Sequence, residues 1–388
     1  MPFTFCHQGT TTQSNHKVEY NQISTMNNKE MNRRKFLNRL IETLLSILPV
    51  SSMVSIFFIS KKKAMADVTF FSTHSEKNNS TMINPDFEPG YLRLHKNGEL
   101  KRRGDILWQM MEVCELCPRE CKKKRLEGQK GDCGSTSQLE ISSFHPHFGE
   151  EQPLVMDGGS GTIFMTHCSL RCVYCINYDI SILGQGSRKS IEDMAGMMMR
   201  LQEMGCENIN VVTPTHYTPH IVKALDIAAG KGLRLPLVYN CSGYEKTENL
   251  RLLDGVVDIY LPDFKYFDGN IAAKYSEDAQ DYPDRAKAAL KEMHRQVGVA
   301  KPNEDGKMYG GLMIRHLVLP NNVSGTKDVM EWIAGSLSKD TYVNLMSQYR
   351  PSYQASRYPG ISRGITNGEY YDAIQYARRA GLTNVEVQ

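Results

Sequence analysis

Charge of one sign is what this chain lacks most clearly. Across 388 residues the formal net charge is +3, which supplies none of the field a nucleic-acid binder needs against a phosphate backbone. Cysteine is sparse, ten in all, and that excludes the disulfide density of a small secreted scaffold. Charge-free apolar stretches long enough to span a bilayer are missing except at Thr43 to Ser60, so a polytopic membrane protein is excluded as well. No internal repeat is evident. What is present is ordinary for a folded protein: 40% hydrophobic, 23% charged and 9% aromatic residues, in a length that corresponds to two or three domains or to one large barrel with extensions.

Residues 1 to 30 are polar, rich in Thr, Gln and Asn and without an apolar period, which reads as a disordered leader. Asn32-Arg33-Arg34-Lys35-Phe36-Leu37, the charge-free stretch, Lys61-Lys62-Lys63 and Ala64-Met65-Ala66 then resemble a twin-arginine export signal. The parts are a basic region, an apolar region broken by Pro49 and a small-residue cleavage site. The same stretch, over residues 36–60, is long enough to associate with a membrane as an anchor, or to be a buried helix. The expectation for 1–66 is a leader with a twin-arginine-like signal or a membrane anchor, periplasmic or membrane-anchored if the signal is used and cytoplasmic if it is not. A polar linker covers 67–89 and a small Cys-rich metal-binding segment 90–150. From 151 to 388 apolar runs alternate with helical stretches, the rhythm of βα units. Strands are predicted at Gly161 to Met165, Asn208 to Val212, Leu237 to Asn240, Ile259 to Leu261, Leu312 to Leu319 and Tyr342 to Met346, with helices such as Ile191 to Met204 and Pro219 to Ala229 between them. Six parallel units are too few for a closed eight-stranded barrel and enough for an open one.

Seven of the ten cysteines fall in two clusters, and clustered thiols point to metal before disulfide. The more specific is Cys168-Ser-Leu-Arg-Cys172-Val-Tyr-Cys175, directly after the first predicted strand. Three thiolates on one short loop can each take one iron of a 4Fe-4S cube. The fourth iron is left to a chelating small molecule, for which the amino and carboxylate groups of S-adenosylmethionine are suited. This is the radical SAM arrangement. A partial zinc site is the competing reading, and it needs His167 as fourth ligand.

The other cluster is Cys114, Cys117, Cys121 and Cys133. Four thiols are enough to close a metal site, and their spacing serves zinc or an auxiliary iron-sulfur cluster equally. Cys6, Cys206 and Cys241 are isolated and read as inert.

From about residue 111 onward the chain resembles an uncharacterised branch of the radical SAM superfamily related to pyruvate formate-lyase activating enzymes. The resemblance is carried by Glu112-Val-Cys-Glu-Leu-Cys-Pro-Arg-Glu-Cys121, Pro146-His-Phe-Gly-Glu-Glu151, Gly159-Ser-Gly-Thr-Ile-Phe164, Tyr239-Asn-Cys-Ser-Gly-Tyr244, Asp258-Ile-Tyr-Leu-Pro-Asp-Phe-Lys-Tyr266 and Ile314-Arg-His-Leu-Val-Leu-Pro-Asn321. It implies an α/β fold, a partial (βα)6 TIM-like barrel with its cofactors at the carboxyl ends of the strands. It also implies reductive cleavage of S-adenosylmethionine to a 5′-deoxyadenosyl radical that abstracts hydrogen, as in a glycyl-radical-activating enzyme. A one-electron donor such as a flavodoxin or ferredoxin would then be a partner, and a protein or peptide a substrate; nucleic acid would not be a partner.

By the same resemblance Asp263 and Lys265, which alternation puts on one side of a strand, are assigned to S-adenosylmethionine, with a structural ion pair as the alternative. Tyr174, just before the third cysteine, is counted with the cofactor-binding residues. Many radical SAM proteins carry Gly-Gly-Glu after the second strand, where this chain has Thr213-Pro-Thr-His216, so the backbone and hydroxyls of Thr213 and Thr215 become the substitutes. Arg315, with its planar fork, is the candidate for the S-adenosylmethionine carboxylate. His216 is an acid or base facing substrate, or a satisfied residue at a helix start. The competing function is a membrane-associated iron-sulfur electron-transfer protein without radical chemistry, whose clusters are normally fully ligated.

Overall fold

The computed structural model describes residues 87–387. The expected leader, the twin-arginine-like signal or anchor, Cys6 and all but the end of the linker lie outside the described residues. The described chain opens with helices α1 (Gly90–Lys96) and α2 (Glu99–Gln109). There follow β1 (Leu139–His147), β2 (Ser160–Met165), β3 (Ser187–Lys189), α3 (Ile191–Glu203), β4 (Ile209–Val212), α4 (Thr218–Gly230) and β5 (Leu237–Cys241). The rest comprises α5 (Thr247–Arg251), β6 (Ile259–Pro262), α6 (Gly269–Tyr275), α7 (Tyr282–Val297), β7 (Gly311–Leu317), α8 (Thr326–Ser336), β8 (Tyr342–Met346), α9 (Asn367–Ala380) and β9 (Val385–Val387).

These strands form one sheet in the order β3-β1-β2-β4-β5-β6-β7-β8-β9. From β2 to β9 every pairing is parallel, and β1 runs antiparallel to both β2 and β3. The result is an α/β fold built on a nine-stranded, mostly parallel sheet, consistent with an incomplete barrel. Curvature is visible in side-chain reach, because Glu150 meets both Asn210 of β4 and Arg315 of β7.

Local chemistry explains the elements. Ser190 caps α3, its hydroxyl accepting from the Asp193 N–H at 2.9 Å while the Asp193 carboxylate accepts from the Ser190 N–H at 2.9 Å, a reciprocal cap worth about 1 kcal/mol. Met194, Ala195, Met198 and Leu201 fall on one face of α3 and are buried, the spacing of a helix laid on a sheet. Gly161 of β2 lies under that face, where a Cβ would come within 2.4 Å of the Asn208 carbonyl oxygen. Inside the curve the floor is apolar, with Leu154, Val238, Ile259, Met313 and Tyr342 buried together.

The stretch read as a separate Cys-rich segment is woven into the barrel. Tyr91 of α1 donates its hydroxyl to the Leu235 carbonyl at 2.9 Å and the Gly90 N–H reaches the Asp258 carboxylate at 3.1 Å, closing the amino ends of β5 and β6. Residues 139–147 are a strand of the main sheet rather than part of a loop segment. Pro146 is the reason this strand is hard to read, since proline cannot donate to a ladder. It is tolerated because β3 pairs only with Leu139, Glu140 and Ile141, so at Pro146 the strand is an edge.

Candidate functional site

β2 ends at Met165 and the chain turns into the three-cysteine loop at the carboxyl end of the sheet. The turn takes two residues into left-handed backbone, His167 at φ 65° and Arg171 at φ 53°, at about 1–2 kcal/mol each for an L-residue. Contacts from outside the loop hold them. The His167 N–H donates to the Ile180 carbonyl at 3.0 Å, and the guanidinium of Arg171 pairs with Glu277. Val173 is clamped on both sides, its N–H on the Tyr275 carbonyl and its carbonyl on the Gln354 N–H, each at 2.9 Å.

Each sulfur of the loop has a polar neighbour. The Leu170 N–H lies 3.4 Å from Cys168 Sγ, the Ser276 hydroxyl donates to Cys172 Sγ at 3.1 Å, and the Ser181 hydroxyl stands 3.1 Å from Cys175 Sγ. Burial pushes the Cys168 thiol up to about 12, helped by the neighbouring Cys172. Burial also raises Cys172, against the pull of Lys265 and Ser276. A bound metal reverses this, since a coordinating thiol is deprotonated outright. His167, the fourth ligand a zinc reading requires, has its Nε2 2.8 Å from the Glu140 carboxylate, while its Nδ1 is buried without a hydrogen-bond partner. The loop itself carries three thiols, which fits a group taking sulfur at three positions. Among the described residues no group of three or more His, Cys, Asp or Glu side chains stands at metal-holding spacing, in either cysteine loop.

Asp263 and Lys265 follow β6 at the same end. Lys265 Nζ donates to the Asp263 carboxylate at 2.6 Å. Burial works against the charge on Lys265, but Asp263 and the Cys172 and Cys175 thiols hold its pKa above the usual lysine range. The ion pair thus stands beside the three-cysteine loop. Thr213, the first residue after β4, has φ 59°, a genuine outlier for a β-branched residue and the kind of strain that collects at functional sites. Its N–H donates to the Asn240 carbonyl at 2.9 Å.

Two expectations meet a different geometry, and a third takes the second of its two readings. Arg315, read as the recipient of a ligand carboxylate, already takes two from the chain: its Nε and Nη2 each donate to Glu151 at 2.7 Å, and Nη2 also pairs with Glu150. Tyr174 is buried in a tyrosine cluster, its ring 5.9 Å from Tyr349 and 6.3 Å from Tyr266 between centroids, so it supports the loop from beneath. His216 is buried with Nε2 2.8 Å from the Thr166 carbonyl, and burial, then Arg125, lowers its pKa well below the histidine range. A neutral imidazole donating to a carbonyl is a packing element.

The four-cysteine loop lies against the first. Glu120 at φ 41° and Lys122 at φ 55° make its turns, and the backbone of Cys114 exchanges hydrogen bonds with Lys122 and Lys123 at 3.1 and 2.9 Å. Gly131 leaves room for the sulfurs, since a Cβ there would stand 3.3 Å from Cys133 Sγ and 3.5 Å from Cys121 Sγ. A hydrogen bond from Cys114 holds the Cys121 thiol below its usual range. Burial and then Cys133 push Cys117 up to about 12. Arg125 is fully buried, donating to the Thr136 carbonyl at 2.7 Å, the His216 carbonyl at 3.0 Å and Cys114 Sγ at 3.8 Å. Arg119 crosses to the barrel loop and donates to the Ser169 carbonyl at 2.9 Å.

Sequence reasoning passed over Ser276, the Glu150–Glu151 pair as side chains of the barrel interior, and Glu245. Glu245 is buried and accepts from the Thr215 hydroxyl at 2.5 Å; burial raises its carboxyl to about 8. An acid with no charged partner nearby in sequence gives no local signal of that kind.

With this geometry in hand, comparison with known proteins gives three findings. The family model of the radical SAM superfamily matches residues 162–300. The chain is 30% identical over 305 residues to the uncharacterized protein MJ0674 of Methanocaldococcus jannaschii, covering 76% of this chain and 83% of that protein. Among solved structures it is similar to methylornithine synthase (PylB), with 12% identity and a TM-score of 0.38 over 58% of this chain and 70% of that one.

Proposed function

Because the chain belongs to the radical SAM superfamily of enzymes, we propose that Cys168, Cys172 and Cys175 hold a 4Fe-4S cluster and that S-adenosylmethionine binds beside it. Bound together, the two supply reductive cleavage of the sulfonium and a 5′-deoxyadenosyl radical. The observation that carries this reading is the count of three thiols on the loop after β2, which leaves one position for a chelating ligand. The electron-carrier alternative gives way, since the superfamily is one of enzymes.

The chain's own residues have definable tasks in this reading. The hydroxyl of Ser276 and the N–H of Leu170 bond to sulfur, the kind of contact that tunes a cluster's potential. Lys265, kept charged by Asp263, sets a cation next to the thiols, and the pair receives S-adenosylmethionine. Thr213 and Thr215 offer backbone and hydroxyl groups where the Gly-Gly-Glu run is missing. In the finer reading the protein acts as an activating-enzyme-like protein on a protein or peptide substrate, with reducing equivalents from a flavodoxin or ferredoxin. The four thiols of Cys114, Cys117, Cys121 and Cys133 hold a second metal, zinc or an auxiliary cluster.

Anaerobic incubation of the reconstituted protein with dithionite and S-adenosylmethionine, scored for 5′-deoxyadenosine, tests the reading; absence of cleavage in the wild type overturns it. Metal analysis tests the second site: four irons and one zinc per chain, or eight irons, are the expected compositions, and four irons with no zinc removes it.

A further inference from the structure

The interior of the barrel carries a polar cluster with a charge left over. Glu150 and Glu151 enter from the loop after β1 and close on the single guanidinium of Arg315, two carboxylates to one cation. Asn210 of β4 donates Nδ2 to Glu150 at 3.1 Å, and Asn344 of β8 donates Nδ2 to Glu151 at 2.8 Å. Carboxylates only accept, so these contacts fix both amides with the nitrogen toward the acid. Their carbonyl oxygens, Asn210 Oδ1 and Asn344 Oδ1, are buried and have no hydrogen-bond partner, with the residues 0% and 2% exposed. A buried polar atom without a partner is costly and asks for one.

The charged side chains of the cluster gain exposure toward the carboxyl end of the strands, while Asn210 Oδ1 and Asn344 Oδ1 are closed off. Side-chain exposure rises in order from Glu151 at 0% through Glu150 at 7% and Arg315 at 14% to Asp263 at 22%. Asp263 and Lys265 neutralise each other above it. What remains below is one uncompensated negative charge with two acceptor oxygens, a setting that favours a cation able to donate N–H bonds.

We infer that the substrate carries a protonated amine or guanidino group that docks against Glu150 and satisfies the carbonyl oxygens of Asn210 and Asn344. This deepens the proposed radical SAM reading and rests on it for the word substrate. A carboxylate or phosphate head group is disfavoured in the same place by Glu150 and Glu151. The cationic head enters either on a small molecule or on a side chain of a peptide.

The test is calorimetric binding to the full-length reconstituted protein with S-adenosylmethionine present. The probes are n-butylammonium, n-butylguanidinium, n-butanol and butyrate. The expected result is binding of the two cations and neither of the others, with affinity falling at least about tenfold in Glu150→Gln and in Asn344→Ala, as for loss of one partner of a buried charged contact. Should Glu150→Gln not fold by melting, Asn344→Ala carries the comparison. Equal binding of butanol or butyrate, or unchanged cation affinity in a folded variant, overturns the inference. Titration with Nα-acetyl-lysine methylamide against free n-butylammonium distinguishes a peptide from a small molecule as the source. Formation of 5′-deoxyadenosine by the wild type is measured in parallel: cleavage without cation binding defeats this inference alone, and cation binding without cleavage defeats the radical SAM reading alone.

Discussion

The two cysteine loops gather thiols by different means. The barrel loop hangs from the end of β2 and is clamped by the Val173 backbone contacts, by Ser276 and by Arg119, so the fold supplies its shape. The loop from Cys114 to Cys133 has one short 3₁₀ turn, Arg125–Glu127, and no strand of its own, and it is organised around buried Arg125. A loop without a core of its own takes its stability from what its side chains bind. The difference teaches where each loop is vulnerable: the first in chemistry, the second in folding.

The largest expected effect follows from that contrast. Cys172→Ala removes one of three sulfurs from a centre that has no spare, so 5′-deoxyadenosine formation falls to background and the brown absorbance is lost; a variant that still cleaves at the wild-type rate breaks the assignment. Next comes stability. Cys133→Ala lowers Tm more than Cys175→Ala does, because on the proposed reading the former unmakes the metal site of a loop with no strand of its own, and equal shifts in a melting experiment would erase the distinction between the loops. Asp263→Asn takes the counter-charge from Lys265 and raises KM for S-adenosylmethionine roughly tenfold, the usual loss for one charge-assisted contact; an unchanged KM assigns the pair to structure.

The smallest effect concerns Glu245, which sits against Thr215 and near Cys117. Its carboxyl titrates at about 8 in the fold against 4.5 ordinarily. As pH rises the unfolded chain releases that proton first, so the contribution of Glu245 is fully present below 4.5 and is lost between 4.5 and 8. Glu245→Gln should therefore flatten the fall of Tm between pH 5 and pH 8, and parallel curves for mutant and wild type would contradict the buried neutral acid.

Much of the fold was legible. The strand Tyr342 to Met346 is found with the bounds the pattern gave, and the other five parallel strands shift by at most two residues at either end, because fully buried parallel strands are continuous apolar runs. β1 was hidden by Pro146 and by the polar Ser142, Ser143, His145 and His147, β3 and β9 by their shortness. At the site, the cysteine spacing was readable because the residues are local. Arg315 was not, because its partners Glu150 and Glu151 are 165 and 164 residues away in sequence. Tyr174, counted with the cofactor-binding residues, has Tyr266 and Tyr349 around it.

By itself the sequence determined the donors: which side chains carry sulfur, in what spacing, and on which side of a strand Asp263 and Lys265 emerge. These are matters of covalent order and of a two-residue repeat. Only the tertiary structure decided the partners. Whether a guanidinium meets a ligand or two glutamates, whether a histidine is solvated or neutral in a core, and which amide oxygens are left without a donor all depend on chain segments brought together across the sheet. The energy of a buried charge is set by those neighbours rather than by its own identity.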